Sequence, residues 1–113
     1  MLITTEERRG IRVLSCEGAL TIGLAADILE STFEQAIATG ILGLVLDFRR
    51  VSHLDSAGVG SVVMCAKRGA ERGTVVKIVL APVGPTRRIF TVTQLERAFE
   101  IFDDLDEAVA SFP

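Results

Sequence analysis

The chain has 113 residues, of which 49% are apolar and 24% are charged, and its net charge of −3 argues against a nucleic-acid-binding face, which needs clustered basic residues. This length fits one domain, residues 1–113. Because no apolar segment reaches the ~20 residues that cross a bilayer, and no signal peptide is visible, we expect a cytoplasmic domain that binds neither nucleic acid nor membrane.

The first half of the chain predicts a hairpin, a helix and a buried strand. Two short strands are predicted at residues 2–7 and 11–17. Residues 23–39 carry apolar side chains at helical spacing, and Gly40 follows where a helix C-terminus commonly has glycine. The nearly continuous apolar run at residues 42–48 is typical of a strand that is buried on both faces, as in a parallel sheet.

The second half predicts further alternation of helices and strands, after a polar loop that begins at residue 49. The predicted elements are a helix at residues 57–72, a strand at 74–81, a helix at 86–94, an edge strand at 99–102 and a last helix that begins with a capping box at Asp104. The order is therefore β-β-α-β-α-β-α-β-α. This order predicts an α/β domain with a mixed, mostly parallel sheet of about five strands and about four helices.

The spacing of the valines in the 57–72 helix predicts which side of that helix is buried. Its buried stripe is predicted to contain Val59, Val62, Val63 and Ala66. Ser61 and Met64 lie off this stripe. Because the flexible thioether of methionine suits adaptable interfaces, we interpret Met64 as part of a binding surface, although the same spacing is also compatible with a peripheral core position.

The sequence contains little that could support catalysis or metal binding. Its two cysteines, Cys16 and Cys65, lie in apolar stretches where a free cysteine acts as a small hydrophobic residue, and two cysteines with one histidine at unrelated positions do not make a zinc site. A catalytic triad needs groups that converge from different elements, whereas His53, Asp55 and Ser56 are neighbours in sequence. We therefore expect no catalytic residue, no metal and no cofactor.

Ser56 lies between the polar loop and the predicted helix, where a side-chain oxygen commonly caps the first turn. Either Asp55 or Ser56 could provide this cap. A phosphate on Ser56 would meet the unpaired N–H groups and the positive end of the helix dipole. It would also add about −1.5 to −2 charge beside Asp55 and so repel a partner that packs there.

The segments around Ser56 resemble those of STAS-domain anti-sigma-factor antagonists. The run Asp55-Ser56-Ala57-Gly58-Val59-Gly60 is similar to the family signature D-S-[SA]-G-[LV]-G. Three further segments resemble family segments along the chain, namely Glu17-Gly18-Ala19-Leu20, Leu46-Asp47-Phe48 and Pro85-Thr86-Arg87-Arg88-Ile89-Phe90. The resemblance extends over nearly the whole chain and implies a STAS fold.

The resemblance also implies a function. The unphosphorylated domain would bind an anti-sigma factor, which is a serine kinase that phosphorylates Ser56 and is then released, and a serine phosphatase would reverse the modification. The implied switch and partner-binding residues are Asp55, Ala57, Gly58 and Thr21, to which our reading of the helix adds Ser61 and Met64. Thr21 stands where family members usually carry an aspartate.

Other functions remain open at this stage. The chain could be a STAS subunit of a stress-sensing or lipid-transport complex, or a STAS fragment of a transporter, and bind its partner constitutively. The replacement of the usual aspartate by Thr21 is compatible with that alternative. A small-molecule enzyme is disfavoured by the arrangement of His53, Asp55 and Ser56.

Overall fold

A computed structural model describes residues 1–113, and its elements follow the predicted order. The strands are β1 (Leu2–Arg8), β2 (Ile11–Leu20), β3 (Gly43–Leu54), β4 (Val75–Val79) and β5 (Ile101–Phe102), and the helices are α1 (Leu24–Ile37), α2 (Ser56–Arg72), α3 (Pro85–Val92) and α4 (Leu105–Ala110). The strands form one sheet in the order β1-β2-β3-β4-β5, in which β1 is antiparallel to β2 and all other neighbours are parallel. The predicted α/β class and the mixed, mostly parallel sheet are confirmed.

Helices cover the two faces of the sheet unequally. Helices α1, α2 and α3 pack on one face over a large apolar core that includes Phe33, Leu46 and Phe90. On the other face, α4 packs over a smaller cluster that includes Val45 and Ala108. The alternation of side chains along each strand explains this division, because successive residues of the apolar β3 point to opposite faces.

Strands β2 and β3 are longer than predicted. The polar loop predicted from residue 49 onward is wrong, since β3 continues to Leu54. Its second half pairs in parallel with the end of β2, where Arg50 lies opposite Glu17 and Leu54 lies opposite Leu20. The charged sequence of this stretch suggested a loop, but the pairing with β2 satisfies its backbone.

Helix α2 buries a face that only partly matches the predicted one: Val62 is buried, and Val59 and Ala66 are partly buried against the core, as predicted. Its buried residues are Gly58, Ser61, Val62, Cys65 and Gly69. The predicted burial of Val63 is wrong, since this residue is 49% exposed, and the predicted exposure of Ser61 is also wrong, since it is only 2% exposed. Small residues explain why the helix is turned relative to the predicted orientation. A Cβ atom at Gly69 would lie 2.8 Å from Cγ2 of Val76, so glycine allows the helix to approach the sheet closely.

The C-terminal part of the chain agrees with the local signals in its sequence. Pro85 occupies the first turn of α3, and Asp104 caps α4 by accepting a hydrogen bond from the N–H of Glu107 at 3.0 Å. The edge strand is shorter than predicted, because Phe99 is buried in the core instead of continuing the strand.

Candidate functional site

The candidate site lies where the C-terminal ends of β2 and β3 meet the start of α2. Ser56 is the first residue of α2, and its side chain is exposed to solvent. The preceding strand ends at Leu54, which is buried beside Leu20 at the end of β2. This edge of a parallel sheet is a common location for binding sites, because the loops that leave the strands converge there.

Asp55, not Ser56, is the N-cap of α2. Its backbone is extended, and its carboxylate oxygen Oδ1 accepts a hydrogen bond from the N–H of Gly58 at 2.9 Å. The other oxygen, Oδ2, accepts a hydrogen bond from the N–H of Ile22, also at 2.9 Å. One carboxylate therefore connects the first turn of α2 to the turn between β2 and α1.

These hydrogen bonds also control the ionisation of Asp55. The bond from Ile22 has the larger effect and the bond from Gly58 the next, and together they lower the pKa of the carboxyl group because they stabilise its charged form. The carboxylate is thus ionised at neutral pH and lies next to the exposed hydroxyl group of Ser56 in the sequence.

The structure brings most of the sequence-predicted site residues together but not all of them. Thr21 adjoins Ile22 and Ala57 adjoins Gly58, whose N–H groups both bind Asp55. Thr21 and Ala57 are half-buried, and Gly58 is buried. Ser61 is buried against α1, where its Oγ donates a hydrogen bond to Oε2 of Glu30 at 2.7 Å, so it is not on the accessible surface.

Met64 lies further along α2 and is half-buried. It is eight residues after Ser56, which corresponds to about 12 Å along the helix axis at 1.5 Å per residue. Its side chain lines a cleft between α1 and α2. Met64 is therefore neither a core residue nor a fully exposed one.

Sequence reasoning missed Ile22 and Glu30. Ile22 is 79% exposed, and its backbone N–H, which no sequence pattern distinguishes, holds the Asp55 carboxylate. Glu30 lies outside the apolar stripe of the 23–39 helix, and its contact with Ser61 joins residues that are 31 positions apart. Only the packing of α1 against α2 creates this contact.

The other candidate chemical groups do not join this site. Cys16 and Cys65 are both buried free thiols, and burial raises the pKa of each. The His53 ring lies beside Ser52, with Nδ1 3.4 Å from the hydroxyl oxygen. None of the helices is long and apolar enough to cross a membrane.

Comparison with solved structures shows a shared fold. The chain superimposes on an anti-sigma factor antagonist from Mycobacterium paratuberculosis with a TM-score of 0.84 and 24% identity, covering 97% of this chain and 92% of that one. For the Bacillus cell fate determinant SpoIIAA in its phosphorylated form the TM-score is 0.71 with 22% identity, covering 96% and 97%. A sulfate transporter family protein from Wolinella succinogenes gives a TM-score of 0.78 with 21% identity, covering 91% and 84%.

The family is established by the sequence match over most of the chain. The model of the STAS domain matches residues 3–108. This range includes β1 except for Leu2, the other four strands and the first three helices, as well as the whole of the candidate site. It also agrees with the resemblance that the Asp55–Gly60 signature and its flanking segments carry. The chain therefore belongs to the STAS domain family.

Proposed function

We propose that this STAS domain is an anti-sigma factor antagonist. In its unphosphorylated form it binds an anti-sigma factor, which is a serine kinase, and so frees a sigma factor for transcription. Phosphorylation of Ser56 by that kinase ends the binding, and a serine phosphatase restores it. The chain itself acts as a binding module and kinase substrate and contributes no catalytic residue.

The observation that carries this proposal is the position of Ser56 at the exposed start of α2, directly after an ionised Asp55. A phosphate at this position adds about −1.5 to −2 charge beside the Asp55 carboxylate. Because Asp55 already accepts the N–H of Gly58, the two anions compete for the same helix end. A partner packed on this surface would meet both electrostatic repulsion and the cost of desolvating the phosphate.

The shared fold supports the same function. Anti-sigma factor antagonists are among the solved structures that superimpose on this chain, and SpoIIAA of Bacillus has been solved in a phosphorylated form. In this chain the matching signature places a serine at position 56. The modification needs no large movement of the domain, because the hydroxyl group is already on the surface.

The test is incubation of the chain with a purified anti-sigma kinase and ATP, followed by mass spectrometry. We expect one phosphate, located on Ser56, and at least ~100-fold weaker binding of the kinase, which corresponds to about 2.7 kcal/mol. The variant Ser56→Ala should keep tight binding that no longer responds to ATP. Ser52→Ala is the matched control, since Ser52 is also exposed but lies on β3. A phosphate on Ser52 with Ser56 unmodified would contradict the proposal.

A second candidate function is constitutive binding within another STAS assembly, and Thr21 favours it. Thr21 adjoins Ile22, whose N–H binds Asp55, so it lies close to the proposed phosphorylation site. The aspartate that family members usually carry here is missing, and with it a charge that a kinase could recognise. Tight partner binding without any phosphorylation would select this second function over the first.

A further inference from the structure

A cleft of about 300 Å³ lies between α1 and α2, outside the Asp55 and Ser56 contacts. Its lining includes Glu30, Phe33 and Glu34 of α1 and Met64, Cys65 and Arg68 of α2. The floor is apolar, because Phe33 and Cys65 are each 1% exposed. The rim is polar and charged. The cleft thus combines an apolar base with a charged opening.

The two acidic residues of the cleft differ in whether a cationic side chain neutralises them. Glu34 is neutralised by Arg68, whose Nε and Nη2 atoms donate hydrogen bonds to its carboxylate at 2.6 and 3.1 Å. The resulting ion pair lowers the pKa of Glu34. Glu30 accepts a hydrogen bond from the neutral hydroxyl of Ser61 and has no Lys, Arg or His nitrogen within 4.0 Å in the structure. The cleft therefore has one uncompensated negative charge.

We propose that this cleft receives one long basic side chain, Lys or Arg, from the protein that binds the Ser56 surface. The aliphatic part of such a side chain would lie against Met64 and the apolar floor, and its cationic end would pair with the carboxylate of Glu30. Lysine and arginine side chains commonly bury their methylene groups in this way while the charge stays at the rim. The flexible thioether of Met64 can adjust to either side chain.

The cleft lies within reach of a partner that covers Ser56. Met64 is about 12 Å from Ser56 along α2, whereas a typical interface covers about 800 Å² on each protein. The inference rests on the proposed function, which supplies an anti-sigma factor as the partner that covers Ser56. A basic side chain in the cleft and apolar or polar contacts near Ser56 would belong to one continuous interface.

The cleft can be tested without any partner, by NMR titration of the Met64 methyl group with small cations. Propylguanidinium represents an arginine side chain, n-butylammonium represents a lysine side chain, and propylurea is the neutral control for the first. We expect at least one of the cations to give a saturable shift with a dissociation constant of roughly 1–10 mM, and propylurea to give none. Equal shifts with propylurea, or no saturation with either cation, would overturn the proposal.

Two charge-removing variants make the test specific for Glu30. Glu30→Gln retains an oxygen that can accept the hydrogen bond from the Ser61 hydroxyl group, so the fold should persist. The loss of the charge should weaken binding of the cation at least ~5-fold. Asp27→Asn removes the same charge three residues earlier, at an exposed position of α1, and should change the affinity less than ~2-fold. Equal effects of the two variants on the affinity would show that the cation responds only to the net charge of the protein, which would contradict a specific contact with Glu30.

The same variants can then be measured with a purified anti-sigma factor that binds the chain. We expect Glu30→Gln to weaken this complex about 10-fold or more and to reduce its dependence on salt, whereas Asp27→Asn should do neither. If no anti-sigma factor binds, the proposed function fails, but the NMR titration still decides whether the cleft accepts a cation. If an anti-sigma factor binds and Glu30→Gln has no effect, the cleft proposal fails alone.

Discussion

Gly58 of α2 packs directly against the carbonyl oxygen of Leu20 at the end of β2. A methyl group at position 58 would overlap this oxygen, so only glycine permits the contact. The close approach allows the N–H of Gly58 and the N–H of Ile22 to reach the two oxygens of Asp55. The geometry of the Ser56 surface therefore depends on a buried glycine.

The two glycines of the signature should respond in opposite ways to substitution by alanine. Gly58→Ala should destabilise the fold by about 1–3 kcal/mol, because the added methyl group forces α2 away from β2. Gly60→Ala should stabilise it by about 0.5–1 kcal/mol, because position 60 is helical and exposed and no atom lies within 4 Å of the added Cβ. Urea denaturation of both variants measures these differences. A similar loss of stability in both would show that the Leu20 contact is not the cause.

Adjacent valines of α2 provide a test of the observed orientation of this helix. Val62→Asp should cost at least ~3 kcal/mol, since Val62 is fully buried and the new carboxylate would have no partner. Val63→Asp should change the free energy of unfolding by less than ~1 kcal/mol, because Val63 is 49% exposed. Thermal denaturation would distinguish the two. If Val63→Asp were the more damaging variant, the helix would be rotated towards the orientation that the valine spacing predicts.

The Asp55 carboxylate should make part of the stability depend on acid pH. Its pKa is lowered in the folded state by the N–H of Ile22 and then by that of Gly58, so the unfolded chain takes up the proton first. The stabilisation is therefore complete above the ordinary aspartate pKa of about 3.9 and disappears as the pH falls through the lower folded value. Asn at position 55 could still cap the helix through its oxygen, but its NH₂ group cannot accept the N–H of Ile22.

Melting temperatures of the wild type and of Asp55→Asn between roughly pH 2 and 7 check this dependence. We expect the wild type to be more stable at neutral pH and the difference to narrow below about pH 4. Parallel curves over the whole range would show that the ionised carboxylate adds nothing beyond a neutral cap.

The two cysteines should be unreactive while the protein is folded. Burial, and then the nearby Asp47, raises the pKa of Cys16 to about 12, and burial raises the pKa of Cys65 further still. Because the thiolate is the reactive form, a thiol reagent such as dithionitrobenzoate at pH 8 should label the native protein at least ~100-fold more slowly than the unfolded protein. Fast labelling of one thiol in the native protein would show that its surroundings open readily.

Local signals in the sequence were sufficient to predict the order of the elements. Apolar spacing predicted the long helices and the buried strand β3, and the capping box at Asp104 marked a helix start that the structure retains. The signature around Ser56 placed the start of α2 and identified the family. These features depend on backbone preferences and on side chains only a few residues apart, which the sequence displays directly.

Tertiary contacts determined the features that local signals did not predict. The end of β3 is a strand because it pairs with the end of β2, although its polar residues suggest a loop. The spacing of its valines placed Val62 in the core, but small residues that let α2 approach β2 and α1 decide that Ser61 is buried and Val63 is exposed. The bond between Asp55 and Ile22 spans 33 positions, and the cleft at Glu30 exists only where two helices meet. Such contacts join residues that are distant in the chain, so their geometry is set by the packing of whole elements and not by any local pattern.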